Sequence, residues 1–247
     1  MKNLYRRIKL PFKLLGVTLV AITGLVAIFS TSPPNNTVDI YGTMTDQDGN
    51  VYKTVNIDGR WWMQENLRVT HYRNGDPIEK VDDLYVWVNR NTGAYCAYDL
   101  EEANADSFGY LYNFHAVRDD RHIAPEGWHV ATDLEWKELE MHLGMSQADA
   151  DGNDWRGTDE GEKLKSETGW SGDGNGTNAS RFTALPAGMR NGSGVFSNLG
   201  STAWFWTGTP VMGGGAWTRE LSSANTGVRR QNNYVRLGQS VRLVRDY

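Results

Sequence analysis

Two Asp-Gly dipeptides, Asp48-Gly49 and Asp58-Gly59, cut the stretch TMTDQDGNVYKTVNIDGRWWMQENLRVT into short runs that alternate apolar and polar residues. Asp-Gly suits the positive backbone angles of tight hairpin turns, so this spacing commits Val38–Val69 to β-structure. Similar punctuation returns from Phe182 onward, where FTALPAGMR, TAWFWTGTP, GAWTREL, GVRRQN and QSVRLVRD are short β-like pieces separated by glycines. YVWVN and AYCAYDL are predicted as two further extended pieces around the turn at Asn91-Thr92-Gly93. GYLYNFHAV (Gly109–Val117) suits a strand or a short helix. One helix stands out: Thr132 with Glu135 forms a capping box, Asp133 and Glu135 suit the positive end of the helix dipole, and Leu134, Trp136, Leu139 and Leu143 recur before Gly144. Residues 145–180 are rich in Asp, Gly, Asn and Ser and are predicted as long loops with one helical turn near Lys163. No repeat of fixed period occurs. The pattern is that of an irregular α+β domain of short antiparallel strands, one or two helices and long loops.

A single cysteine, Cys96, among 247 residues rules out an internal disulfide, so stability has to come from packing. Ten Trp, eleven Tyr and 27 Gly indicate an aromatic core closed by tight turns. The basic, acid-free leader (Lys2, Arg6, Arg7, Lys9, Lys13) and the apolar run Leu14–Phe29 predict export, with residues 1–31 acting as a cleaved signal or a retained membrane anchor. Residues 32–44 then form a linker and first strand entry, and 45–247 the domain. The expected location is the periplasm, the outer surface or the medium, with membrane contact only through that leader. A lipoprotein is not expected, since no cysteine follows the apolar run. The leader holds five of the 25 basic residues and none of the 30 acids, which leaves 20 against 30, a net charge of −10. Such a domain lacks the basic stripe that nucleic-acid binding needs.

A collinear series of motifs carries a resemblance: DQDGNVYKTVNIDGRWWMQENL (46–67), GYLYNFHAV, APEGWHVATDLEW (124–136), EKLKSETGW (162–170), FTALPAGMR (182–190), AWFWTGT (203–209) and SVRLVRD (240–246). In this order they resemble the Fibrobacter succinogenes major paralogous domain, a family of exported bacterial proteins. The resemblance implies a C-type-lectin-like fold, distantly related to formylglycine-generating enzymes, and no assigned activity. It also implies a cysteine pair at the positions of Ala124 and Leu243, replaced here by two apolar residues, and a proline at that of Ala131. Cys96 matches a family cysteine and is expected as a small buried hydrophobe. Formylglycine chemistry needs reactive cysteines late in the chain, where this sequence has none.

Candidate sites are few. His129, beside Trp128, is predicted to be half-buried and bonded to backbone at the helix entry. His71, His115, His122 and His142 are scattered without zinc spacing. No serine sits in a nucleophile elbow, and the adjacent acids Glu101-Glu102 and Asp119-Asp120 point apart. Asp149, Asp151, Asn153 and Glu160 occupy positions 1, 3, 5 and 12 of an EF-hand-like loop, which makes calcium the one candidate cofactor, although Asp154 stands where the loop wants glycine. DQDGN at Asp46 begins like such a loop but reads as a hairpin turn. The sugar-binding signatures Glu-Pro-Asn and Trp-Asn-Asp of lectins are missing. Trp155 and Trp170, with Arg229, Arg230, Asn232, Asn233 and Tyr234 in ANTGVRRQNNY, combine planar rings with amides and guanidinium groups. This chemistry suits glycans and protein interfaces alike. In related lectin-like receptors this late segment makes the binding face. Trp61, Trp128, Trp136, Trp204, Trp206 and Trp217 are expected in the core, and Trp170 is open to either role. The expectation is a non-catalytic module for a glycan or a surface protein, with adhesion or an envelope role as the alternative and a hydrolytic enzyme third.

Overall fold

The computed structural model describes residues 39–247; the leader and residues 32–38 lie outside them. In chain order the first elements are β1 (Tyr41–Thr45), β2 (Val51–Ile57), β3 (Arg60–Met63), β4 (Glu79–Lys80), α1 (Leu84–Val88), β5 (Ala94–Cys96), α2 (Glu102–Phe108), β6 (Leu111–Tyr112) and α3 (Phe114–Val117). Then follow β7 (Trp128–Val130), α4 (Asp133–His142), α5 (Gln147–Asp151), β8 (Asp154–Arg156) and α6 (Glu160–Leu164). The last third is β9 (Ala187–Arg190), β10 (Phe196–Leu199), β11 (Thr202–Val211), β12 (Gly215–Ser222), β13 (Asn225–Tyr234) and β14 (Leu243–Arg245).

Both Asp-Gly dipeptides form the hairpin turns their chemistry demands, with Gly49 and Gly59 at φ 83°. In the first turn the Asp46 carboxylate accepts the N–H groups of Asp48 and Asn50, each at 2.9 Å, so DQDGN is a hairpin turn. The strands assemble into a five-stranded sheet (β1-β2-β3-β14-β7), a six-stranded sheet (β10-β9-β11-β12-β13-β8) and a three-stranded sheet (β4-β5-β6). The arrangement is α+β and mostly sheet.

Three expectations are corrected. Six α-helices are present among the described residues rather than one or two, because five of them are four to seven residues long and too short to show periodicity. Each of three is instead announced by a side-chain cap, from Asp83, Asn113 or Ser146. YVWVN is one of these helices, α1: its valines favour a strand, but the Asp83 carboxylate accepts the Val86 N–H at 2.8 Å and starts a turn. Finally, β11 meets β9 in parallel, as β4 does β5, and β11, β12 and β13 are long strands of 10, 8 and 10 residues.

GYLYNFHAV is both of its alternatives in succession, strand β6 and then helix α3, with Asn113 capping the junction. The helix over 133–142 has its full capping box, with Gly144 at φ 123° just beyond it. Leu134, however, is 63% exposed, and the inward face is Asp133, Trp136, Leu139 and Glu140.

Trp62, Trp136 and Phe182 meet edge to face at 5.3–5.7 Å and centre one core cluster, while Tyr52, Tyr112, Phe114 and Trp206 build another. Trp62 rather than Trp61 enters the core, since neighbouring residues of a strand face opposite ways. Trp61 instead covers Gly42, where a Cβ would lie 3.1 Å from its ring. Trp128 and Trp217 are likewise only partly buried. Ala124 and Leu243 are buried in the same cluster, so packing occupies the place where the resemblance implies a bridge. Cys96 is fully buried, and burial pushes its thiol up to about 12.

Candidate functional site

Strands β12, β13 and β8 lie side by side, and their alternation sorts the late polar segment onto two faces. Arg229 pairs with Trp155 on one side and Glu220 on the other; Arg230 pairs with Arg219, and Asn232 with Trp217. Arg229, Gln231 and Asn233 therefore share one face with Trp155, while Arg230, Asn232 and Tyr234 point the other way.

The first face is half-exposed and ordered by its own bonds. Arg229 donates to Asp154 Oδ1 at 2.6 Å and to Glu220 Oε2 at 3.2 Å, and its guanidinium sits 6.0 Å from the Trp155 ring centroid. Burial raises the pKa of Glu220 above its ordinary value, and the Arg229 bond opposes that rise without cancelling it. Asn233 donates to Thr218 Oγ1 at 3.0 Å. The result is a row of an indole, a guanidinium and two amides on a backbone fixed by ladder bonds on both sides.

The second face turns inward at Arg230, which is 6% exposed. Its guanidinium lies 3.5 Å from the Trp217 centroid and donates to both Asp133 oxygens, at 2.9 and 2.8 Å. Arg230 is thus a fixed part of the α4 anchor and not a ligand group, because a guanidinium with its donors spent on a buried carboxylate has none to offer. Of its two alternatives Trp170 takes the core and not the ligand face: it is 4% exposed, and its indole N–H donates to Ser166 Oγ and Ala184 O at 3.1 Å. Asn232 and the 82% exposed Tyr234 lie beside Gly213–Gly215 at the turn between β11 and β12, away from Trp155.

The calcium loop does not form. Asp149 caps α5 with Ser146, and the Asp151 carboxylate is held by Lys137 and Gln147. Asn153 Oδ1 accepts from Arg230, and Glu160, 2% exposed, accepts the N–H groups of Thr158 and Asp159. A helix and a strand in place of a loop send the four oxygens to different partners. Among the described residues, no group of three or more His, Cys, Asp or Glu side chains could hold a metal ion.

His129 is half-buried as expected but bonds carboxylates rather than backbone. Nδ1 faces Asp246, and Nε2 lies 2.9 and 3.0 Å from the two oxygens of Glu135. The Glu135 bond, helped by Asp246, raises the His129 pKa above 6.5 even though burial pulls it down. Glu135 also accepts from Arg60 and from Thr132 N–H. Although burial alone would raise its pKa, these bonds to His129 and Thr132 hold it below the usual value. The opening of α4 is a clasp between helix, β7 and the segment after β14. Both ring nitrogens of His129 are engaged by carboxylates, so the imidazole is an anchor of the helix entry.

A model of the Fibrobacter succinogenes major domain matches residues 55–245. The chain belongs to that family. No curated protein matches it, and no solved structure does. In this Fibrobacter succinogenes major domain, no helix among the described residues is long and apolar enough to cross a membrane.

Sequence reasoning missed Gln231, Glu220 and Thr218 in the polar row of this Fibrobacter succinogenes major domain. The signal was available: once GVRRQNNY is read as one strand, period-two alternation groups Arg229, Gln231 and Asn233 and sets Arg230 apart. The partners Glu220, Asp154 and Thr218 come from strand register, which depends on the hairpin between β12 and β13.

Proposed function

We propose that this domain is a non-catalytic binding module for a glycan, held outside the cytoplasm, and that its architecture is C-type-lectin-like with the β12–β13–β8 edge of the six-stranded sheet carrying the ligand. One observation carries the reading: Trp155 on β8 and Arg229, Gln231 and Asn233 on β13 form a single half-exposed row on two paired strands. A sugar ring stacks on an indole through its apolar face and offers its hydroxyls to amides in the same plane. A platform whose side chains are already fixed loses little entropy when it binds. Export is supported by the basic leader and the apolar run Leu14–Phe29.

The test is a glycan array probed with the purified protein and with Trp155→Ala and Asn233→Ala. Thermal melts show that each variant is folded. The expected result is binding to a defined sugar that weakens about tenfold in each variant, the scale of one lost stacking or hydrogen-bonding contact. EDTA leaves that binding unchanged. Silence across the array, or binding that neither substitution weakens, overturns the reading.

A further inference from the structure

The five-residue helix α1 has the sequence Leu-Tyr-Val-Trp-Val, yet it buries only Trp87. Leu84, Tyr85 and Val86 are 47, 74 and 43% exposed. Val195, Leu199 and Leu100 are exposed as well, at 50, 37 and 41%. Scattered apolar residues on a surface need no explanation, but adjacent ones do.

These residues adjoin. A Cβ built on Gly194, next to Val195, would lie 2.9 Å from Leu84 Cγ. One built on Gly188 would lie 2.7 Å from the Tyr98 ring and 2.8 Å from the Leu199 nitrogen. Tyr98 in turn packs on Phe196 with centroids 5.2 Å apart, and Leu100 follows two residues after it. Beneath lies the third core cluster, of which Val88 and Phe196 are only partly covered. β10 runs along this side as the last strand of the six-stranded sheet. The exposed apolar residues therefore follow one side of the fold as a strip, from α1 past β10, where Ser197 and Asn198 interrupt them, to the turn at Leu100.

Its rim is acidic. Asp82, Asp83, Asp99 and Glu101 are all exposed and neighbour the strip in sequence. Of the nearby cations, Lys80 pairs with Glu102 and lies 3.8 Å from Asp82, and Arg90 pairs with Glu79; Arg236, whose carbonyl accepts the Trp87 indole N–H, is exposed, so the acids still outnumber the cations here. Such a rim disfavours a second copy of the chain, since a two-fold contact would bring acid against acid. It equally disfavours an anionic lipid surface.

We propose that this strip is a docking surface for a segment of a partner protein in which apolar side chains alternate with Lys or Arg. The apolar side chains cover Leu84, Tyr85 and Val195, and the cations meet Asp82 and Glu101. The surface is distinct from the Trp155 row, so neither assignment depends on the other.

Labelled synthetic peptides test this with the intact protein: one alternating Leu or Val with Lys, one with Glu in place of Lys, and one with Ser in place of Leu and Val. The expected result is saturable binding of the cationic apolar peptide alone, weakened by salt. Tyr85→Ser/Val86→Ser and Asp82→Lys/Glu101→Lys each reduce its affinity about tenfold or more while Tm stays at the wild-type value. Because all four positions are exposed, these changes leave the core untouched; Asp83 is spared because it caps α1. Equal binding of the Glu peptide, or no binding of any peptide, overturns the proposal. So does a wild-type dimer that Tyr85→Ser converts to monomer, since a second copy would then be the occupant.

Discussion

Arg219 Nε lies 2.6 Å from Glu140 Oε1, and both side chains are wholly excluded from solvent. Arg219 also reaches Asp133, Arg156 shares Glu140, and Arg230 shares Asp133. This network, and not apolar contact alone, seats α4 on the six-stranded sheet. Removing one partner leaves a buried charge undercompensated, which typically costs about 3–5 kcal/mol. Arg219→Met is expected at the low end, about 3 kcal/mol, because Arg156 and Arg230 remain to hold the two acids. Urea denaturation measures it. The double variant Arg219→Met/Glu140→Met loses less than the sum of the single changes, as coupling within one network requires.

The His129 clasp makes stability depend on pH in a defined direction. The folded pKa of His129 is raised above its ordinary 6.5, first by Glu135 and then by Asp246, against burial. The charged imidazole therefore stabilises the fold fully below about pH 6.5, and that contribution is lost as pH rises through the folded pKa. Wild-type Tm is expected to decline across this window, while His129→Gln flattens the decline there. A profile that His129→Gln leaves unaltered would assign the slope to other groups. On the acid side, Glu135 and Asp133 have folded pKa values below their ordinary ones. Their contribution is present above the unfolded pKa and lost as pH falls through the folded one.

Gly161 lies in helix α6, where alanine ordinarily stabilises by up to about 1 kcal/mol. Here a Cβ would come within 2.0 Å of the Gly227 carbonyl oxygen on β13. Since that neighbour is ladder backbone, it cannot yield cheaply. Gly161→Ala is expected to destabilise by about 1–3 kcal/mol, as overpacking does. A chemical denaturation curve gives the sign directly.

Calcium is expected to leave Tm unchanged. An ion bound only by the folded state would raise stability by about 2.7 kcal/mol at a hundred times its Kd. Differential scanning calorimetry in calcium and in EDTA distinguishes the two cases. An upward shift that Asp151→Asn removes would restore the metal site.

The two Asp-Gly hairpins and the capping box at Thr132 were readable because each depends on residues within five positions of one another. The same holds for the family, whose motifs are local and collinear. Among helices, only the one over 133–142 was long enough to show its period; α1 and α5 needed their caps, Asp83 and Ser146, to be weighed above composition. Trp155, Arg229 and Asn233 were picked out as polar-aromatic chemistry, but nothing local separated them from Trp170 and Arg230.

The sequence by itself determined the turns, the class of fold, the family and the kinds of side chain available for binding. Tertiary structure alone decided which of them remain available. Burial and register depend on neighbours far along the chain: Arg230 is spent on Asp133, 97 residues away, and Trp170 on Ala184, across a loop. Likewise, Asp151 and Glu160 fit calcium spacing, but folding turns one toward Lys137 and the other back on the Thr158 and Asp159 N–H groups just before its helix. A side chain's chemistry is fixed by its type, whereas its freedom to use that chemistry depends on what the fold brings within hydrogen-bonding reach.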